Sequence, residues 1–280
     1  MIVTRFAPSP TGEMHLGHAY AALVARDLAC ETEDGRFLLR HEDIDSSRVR
    51  EEFYGMIETD LKWLGIQWDG EPLRQTDRFD AYAEALEKLK ALSLVYPCFC
   101  TRKDIQQEME RMHAAPHSHE SQLYPGICRE LDSDEAAQRI DAGESHSWRL
   151  DAAKAAQSHG TLHFTDLEHG TTEVDENENG DVILARKDIN VAYHLAVVVD
   201  DEFQGVTHVT RGEDLFSATH VHRQLQALLG YREPVYLHHT LVTDEHGKRL
   251  AKRNHSKAIR LLREQGHSPG EVIEMTGYVC

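Results

Sequence analysis

Arg5-Phe6-Ala7-Pro8-Ser9-Pro10-Thr11-Gly12, followed at once by His15-Leu16-Gly17-His18, decides how the rest of this chain is read. Two prolines and a glycine stop an extended segment, and the imidazoles then stand at the mouth of a helix. Backbone N–H groups, the positive helix end and two rings are thereby gathered around one anion. Gly17 leaves room for a flat base or a ribose to approach. By spacing alone, a plain strand–turn–helix with two surface histidines explains the same letters equally well.

Outward from this segment, residues 19–31 carry Tyr20, Leu23, Val24 and Leu28 on one stripe of a 3.6-residue pattern, interrupted by Asp27, and so predict a helix. Residues 37–40 predict a short buried strand. Further helices are expected over 48–64, with Phe53, Ile57, Leu61 and Leu64 on one stripe, and over 79–92, with Tyr82, Leu86 and Leu89. Leu195-Ala196-Val197-Val198-Val199, followed by Asp200-Asp201, reads as a buried parallel strand ending in carboxylates, with a helix after it over 216–229. Strands alternating with helices make this an α/β chain. Between its halves the texture changes: residues 97–131 hold cysteines, histidines and a Tyr124-Pro125-Gly126 turn, and 158–181 read as hairpins or a mobile loop.

The 280 residues, 40% of them hydrophobic, suffice for a sizeable core. A formal charge of -18 argues against a partner held by overall positive field, so a nucleic acid would have to meet a local basic patch. No apolar run approaches the ~20 residues of a bilayer helix, and the opening residues lack the order of a secretory signal, so a cytoplasmic location is expected. Cysteines stand at 30, 98, 100, 128 and 280. An odd count of five in a reducing compartment predicts free thiols, and the close trio then calls for a metal or a buried role.

The opening segment resembles that of class I glutamyl-type aminoacyl-tRNA synthetases, whose His-Ile-Gly-His signature binds ATP. Further segments match in order: Glu42 within His41-Glu42-Asp43-Ile44-Asp45, Tyr193 to Asp201, and Gly205 to Gly212. Lys248-Arg249-Leu250-Ala251-Lys252-Arg253-Asn254-His255 resembles the Lys-Met-Ser-Lys-Ser loop, with Arg249 in place of the first lysine and Ala251 in place of the serine. The resemblance implies a Rossmann-like parallel sheet over 1–96 and 189–238, interrupted by an inserted zinc-bearing, acceptor-binding module over 97–188. A short stem-contact region over 239–280 would follow. It further implies that His15, Gly17, His18 and Lys252 bind ATP with its Mg2+, the two histidines and the lysine being catalytic. The glutamate pocket would comprise Arg5, Phe6, Ala7, Ser9, Glu42, Tyr193 and Arg211, the two arginines on the side-chain carboxylate and Glu42 on the α-ammonium.

Three thiols suit zinc, which normally takes four donors. The set Cys98, Cys100, Tyr124 and Cys128 resembles the zinc site of a short branch of that family, whose tyrosine oxygen supplies the fourth bond; His113, His117 and His119 are the alternatives nearby. Members of that branch activate L-glutamate without tRNA and place it on the queuosine base at the wobble position of tRNA(Asp). A monomer is expected, meeting the anticodon stem-loop through basic clusters at Arg102-Lys103, Arg186-Lys187 and 248–257. The competing readings are a shortened enzyme charging tRNA(Glu) and a silent synthetase-like binding protein.

Overall fold

The computed structural model describes residues 1–113, 123–242 and 258–279. The first half runs β1 (Val3–Phe6), α1 (Leu16–Cys30), β2 (Arg36–His41), α2 (Glu51–Trp63), β3 (Leu73–Arg74) and α3 (Phe79–Ala91). Strand β2 lies parallel to β1 and to β3. All four residues of β1 are buried. Alanines at 19, 22, 25 and 29 give α1 a thin buried face, so its backbone comes close enough for Thr4 Oγ1 to donate to the Ala25 carbonyl at 2.7 Å. The expected helices and strand of this half are present, with no end displaced by more than three residues.

The chain then forms β4 (Val95–Cys98), α4 (Arg102–His113), α5 (Ser133–Asp141), β5 (Ser147–Leu150), α6 (Ala152–Gln157), β6 (His163–Asp166), β7 (Gly170–Glu173) and β8 (Ile183–Ala185). It closes with α7 (Tyr193–Gln204), β9 (His208–Gly212), α8 (Ala218–Leu229), β10 (Val235–His239), α9 (Ile259–Glu264) and α10 (Pro269–Met275). Strand β10 is parallel to β9 and to β6. Thr207 joins the two groups of strands: its N–H donates to the Val3 carbonyl at 2.9 Å, and its own carbonyl accepts from Val235 N–H at 2.9 Å. Strand β9 thus lies beside β1, and the parallel sheet continues from the first half into the last.

One expectation changes. Residues 195–199 are not a strand; they are the middle of helix α7. Seven consecutive residues, Leu195 to Asp201, are buried, because α7 packs against α3 and α8 and helps build one apolar cluster. A helix covered all round shows no polar stripe, so its apolar run is indistinguishable in sequence from a buried strand. Gly205, at φ 67°, ends it in the left-handed turn that a helix terminus favours. Strands of the 97–188 stretch are shared between two sheets. Strands β4, β5 and β8 form a separate antiparallel sheet, but the β6–β7 hairpin between them returns to the edge of the main sheet on β10.

The last helices close over the first: Leu262 of α9 and Val272 of α10 enter the cluster built by α1, β2 and α2. Arg263 on α9 reaches the buried Asp60 of α2 at 3.0 Å. Burial pushes the Asp60 carboxyl up to about 6 from an ordinary 3.8, against the pull of Arg263. The folded chain therefore binds this proton more tightly than the unfolded one, and that share of stability is present below about pH 4 and lost as pH rises through about 6. Asp60→Asn is expected to flatten this stretch of the melting temperature-against-pH curve. Parallel curves for the two proteins would disprove the assignment.

Candidate active site

At the head of α1, His15 Nδ1 accepts from Gly17 N–H at 3.1 Å and His18 Nδ1 accepts from His15 N–H at 3.2 Å. A neutral imidazole that accepts on Nδ1 carries its proton on Nε2. Both rings are thus set as Nε2–H donors, stacked with centroids 3.9 Å apart. A Cβ on Gly17 would lie 3.1 Å from His15 Cε1, so the glycine makes room for this ring. The sequence alone points to a ligand in that space; the structure also fills it with the His15 ring. Beside the histidines, His15 forms a bridge with Ala258, and Tyr20 Oη lies 3.5 Å from Thr240 Oγ1.

Arg5, on β1, is buried. Its Nε donates to Asp201 Oδ1 at 2.9 Å and one terminal nitrogen donates to the Thr210 carbonyl at 3.0 Å. Arg40, on β2 and without exposed surface, donates to the same Asp201 oxygen at 2.7 Å and to Gln204 Oε1 at 3.0 Å. Despite burial, these two cations hold the Asp201 carboxyl below the usual carboxylate range. The other terminal nitrogen of Arg40 lies 3.5 Å from Glu42, whose carboxyl is pushed up by burial and drawn back by Arg40 and Arg5. Ser9, Glu42, Gln75 and Tyr193 line one cavity of about 270 Å³. Ser9 is exposed and Ala7 half-buried, whereas the Phe6 side chain turns into the apolar cluster below α1.

Arg211, on β9, is also buried and is fixed by three contacts: Nε with His238 Nε2 at 3.0 Å, one terminal nitrogen with His222 Nδ1 at 2.9 Å, and the other with Thr219 Oγ1 at 2.5 Å. Arginine carries five N–H donors. Among the described residues, Arg211 therefore keeps two for a ligand, one on each terminal nitrogen, which is the fork that matches a carboxylate. Burial pushes the Tyr193 phenol up, and the charges acting on it come from Arg211, Glu42, Arg5 and Asp201. The expected pocket residues Arg5, Glu42, Tyr193 and Arg211 are thus neighbours. Asp201, Arg40, Thr219, His222 and His238 were not expected. The paired acids of Asp200-Asp201 at the end of an apolar run were the one visible signal, since buried carboxylates require cations.

The three thiols converge. Cys98 Sγ and Cys100 Sγ lie 3.3 and 3.5 Å from Tyr124 Oη, and Cys100 Sγ lies 3.4 Å from Cys128 Sγ. Thiolates held at ~2.3 Å around one zinc would stand about 3.7 Å apart, so the set is compatible with zinc. Tyr124 also accepts from Cys128 N–H at 3.0 Å and stacks under Arg149. Below the thiols, Asp181 accepts from Tyr96 Oη at 2.5 Å and from Arg129 Nε at 2.8 Å, tying the turn to β4. Cys30 is exposed, away from the trio. Lys252, Arg249, Ala251, Cys280, His117, His119 and the His113 side chain lie outside the described residues. Arg102 and Lys103 are exposed, while Arg186 is paired with Asp188 and Asp45, and Lys187 donates to the Phe99 carbonyl.

A family model described as tRNA synthetases class I (E and Q), catalytic domain, matches residues 1–278. The chain belongs to this family. A glutamyl-Q tRNA(Asp) synthetase of Rhodobacter capsulatus is 45% identical over 281 residues, covering 99% of the chain and all of the relative. One from Deinococcus radiodurans is 42% identical, covering 98% and 87%. A crystal structure of a glutamate tRNA ligase from Elizabethkingia meningosepticum, in complex with its amino acid, superposes with a TM-score of 0.82 at 26% identity; it covers 98% of this chain, which spans 60% of that one. As a class I tRNA synthetase the chain is a ligase, of a class that uses ATP with Mg2+. Among the described residues no helix is long and apolar enough to cross a membrane.

Proposed function

We propose that the chain activates L-glutamate with ATP, without needing tRNA, and then transfers it to queuosine at the wobble position of tRNA(Asp). The observation that carries the amino-acid half is the pair of buried guanidinium groups, Arg5 and Arg211, beside the carboxylate of Glu42. The acceptor half rests on the glutamyl-Q tRNA(Asp) synthetases that match almost end to end.

In the first step the glutamate α-carboxylate attacks the α-phosphorus of ATP and pyrophosphate leaves, so the protein positions the reactants and stabilises charge without a side-chain nucleophile. Arg5 and Arg211 take the side-chain carboxylate, Glu42 the α-ammonium, and Ser9 and Tyr193 complete the polar lining. The two Nε2–H groups of His15 and His18 donate to phosphate oxygens. Lys252, in the stretch between Val242 and Ala258, neutralises the departing pyrophosphate, a load that Mg2+ bound with ATP would share. In the second step a hydroxyl of the modified base attacks the mixed anhydride and AMP leaves. Residues 97–188 and the stretch after 239 are assigned to the anticodon stem-loop, with Arg102-Lys103 among the phosphate contacts.

Cys98, Cys100, Tyr124 and Cys128 would hold one structural zinc. Purified protein is expected to carry about one zinc per chain by elemental analysis, and Cys100→Ser to lose most of it and to melt at a lower temperature. A stable, metal-free wild-type chain would remove the site.

The deciding experiment supplies labelled glutamate and ATP with tRNA(Asp) bearing or lacking queuosine, and with tRNA(Glu). Label on the anticodon base of queuosine-containing tRNA(Asp) is expected. Label on the 3′ end of tRNA(Glu) would make the chain a shortened charging enzyme, and absence of any glutamate-dependent pyrophosphate exchange would make it a silent binding protein.

A further inference from the structure

The Arg211 guanidinium ends a chain of hydrogen bonds that begins on the β6–β7 hairpin. Asp166 Oδ1 accepts from the backbone N–H groups of Glu168 at 2.9 Å and His169 at 3.0 Å. Its Oδ2 accepts from His238 N–H at 3.2 Å and faces His238 Nδ1 at 2.6 Å. The opposite nitrogen of that ring, Nε2, faces Arg211 Nε at 3.0 Å. Arginine only donates, so Nε2 must be the acceptor and Nδ1 must carry the proton, aimed at Asp166. The same rule settles the second ring. His222 Nδ1 accepts from Arg211, so its proton sits on Nε2 and points at His194 Nδ1, 3.1 Å away. Thr219 Oγ1 accepts from Arg211 and lies 3.2 Å from His238 Nε2, to which its hydroxyl donates.

We infer that Asp166, acting through the tautomer of His238, and the neutral ring of His222 are positioning residues that set the angle at which Arg211 offers its two remaining donors to the glutamate side chain. This rests on the reading of Arg211 as a glutamate ligand. The rings are neutral for physical reasons: burial first, then the Arg211 charge, holds His238 down at about 4 against the opposing pull of Asp166, and the same two causes hold His222 well below its ordinary value. Around His238 stand Arg211, Asp166, Thr219, His169, Phe216 and Tyr236; around His222 stand Arg211, His194, Tyr193 and, at longer range, Arg5. A lone pair from each ring toward one cation leaves the guanidinium plane little freedom to turn.

Asp166→Asn tests this by changing one atom. The asparagine oxygen stays on the Glu168 and His169 N–H groups, which puts an NH2 where Oδ2 accepted. That NH2 meets two donors on His238, drives the ring to its other tautomer, and sets an N–H against Arg211 Nε–H. The glutamate KM, ATP KM and kcat are measured by pyrophosphate exchange, with and without tRNA(Asp), for wild type, Asp166→Asn, His238→Leu, His238→Gln, His222→Leu, His222→Asn and Arg211→Ala. Asp166→Asn and the two leucine variants are expected to raise the glutamate KM roughly tenfold or more, with the ATP KM within about twofold. Gln at 238 and Asn at 222 place an acceptor oxygen where the imidazole nitrogen was, and are expected to restore glutamate binding. A merely structural role would instead lower melting temperature without splitting the two KM values. If a leucine variant fails to fold, Asp166→Asn and the two acceptor variants decide. A normal glutamate KM in Asp166→Asn and the leucine variants, alongside a raised one in Arg211→Ala, overturns the positioning chain alone. A normal glutamate KM in Arg211→Ala overturns the reading of the pocket and the positioning chain with it.

Discussion

Arg211→Ala is expected to raise the glutamate KM by roughly 100-fold or more, corresponding to about 3 kcal/mol for a charged partner lost inside a buried site. The ATP KM should stay within about twofold, because the phosphates are assigned to the head of α1 and to Lys252. The magnitude follows from burial. Arg211 is 6% exposed, so a substrate carboxylate arriving there has left its water behind and finds no replacement if the guanidinium is gone. Arg211→Lys should rescue poorly. An ammonium retains charge but cannot satisfy His238, His222 and Thr219 in three directions while still presenting a fork. Saturation by glutamate at wild-type concentrations in Arg211→Ala would refute the assignment.

Part of this site is readable along the chain and part is not, for a physical reason. The anion-binding head of α1 is local: a proline–glycine break, a helix start and two rings within a few residues, all held by short-range hydrogen bonds. Helices α2 and α3 bury one face each and so write a stripe into the sequence. The groups that orient Arg5 and Arg211 are remote by comparison. Asp201 lies 196 residues from Arg5, and Asp166 lies 72 residues from His238. Nothing local distinguishes Asp166 in His163-Phe164-Thr165-Asp166 from a strand-end turn residue, which it also is. The misreading of α7 as a strand had the same root. Once its seven buried residues are covered from every side, the pattern that would reveal a helix has been erased by the packing that stabilises it.

Asp201→Ala is expected to be the most damaging single change for the fold, costing about 3–5 kcal/mol, the range for removing one partner from a buried ion pair. Asp201 stands between two guanidinium groups that are almost inaccessible, Arg5 at 4% and Arg40 at 0% exposure. Its neighbour Asp200 provides no relief, being already taken by Arg78, Gln75 and Tyr82. Without Asp201, Arg40 keeps Glu42 at 3.5 Å as its near counter-charge, with Asp200 acting from farther away, so the carboxylate assigned to the substrate ammonium would be drawn toward Arg40. Chemical unfolding should show the loss, and the double variant Asp201→Ala, Arg40→Met should recover part of it by removing the stranded cation; equal stability of Asp201→Ala and wild type would refute the account. The same charges bear on specificity. With Asp200 balanced by Arg78, the charges of Arg5, Arg40 and Arg211 against Asp201 and Glu42 leave the pocket with one uncompensated positive charge. Bound glutamate, with two carboxylates and one ammonium, supplies the missing negative charge, whereas glutamine is neutral and would leave a buried guanidinium unpaired. Glutamine should therefore fail to support pyrophosphate exchange in wild type, and Asp201→Asn, which adds a further uncompensated positive charge, should widen that preference in whatever fraction remains folded.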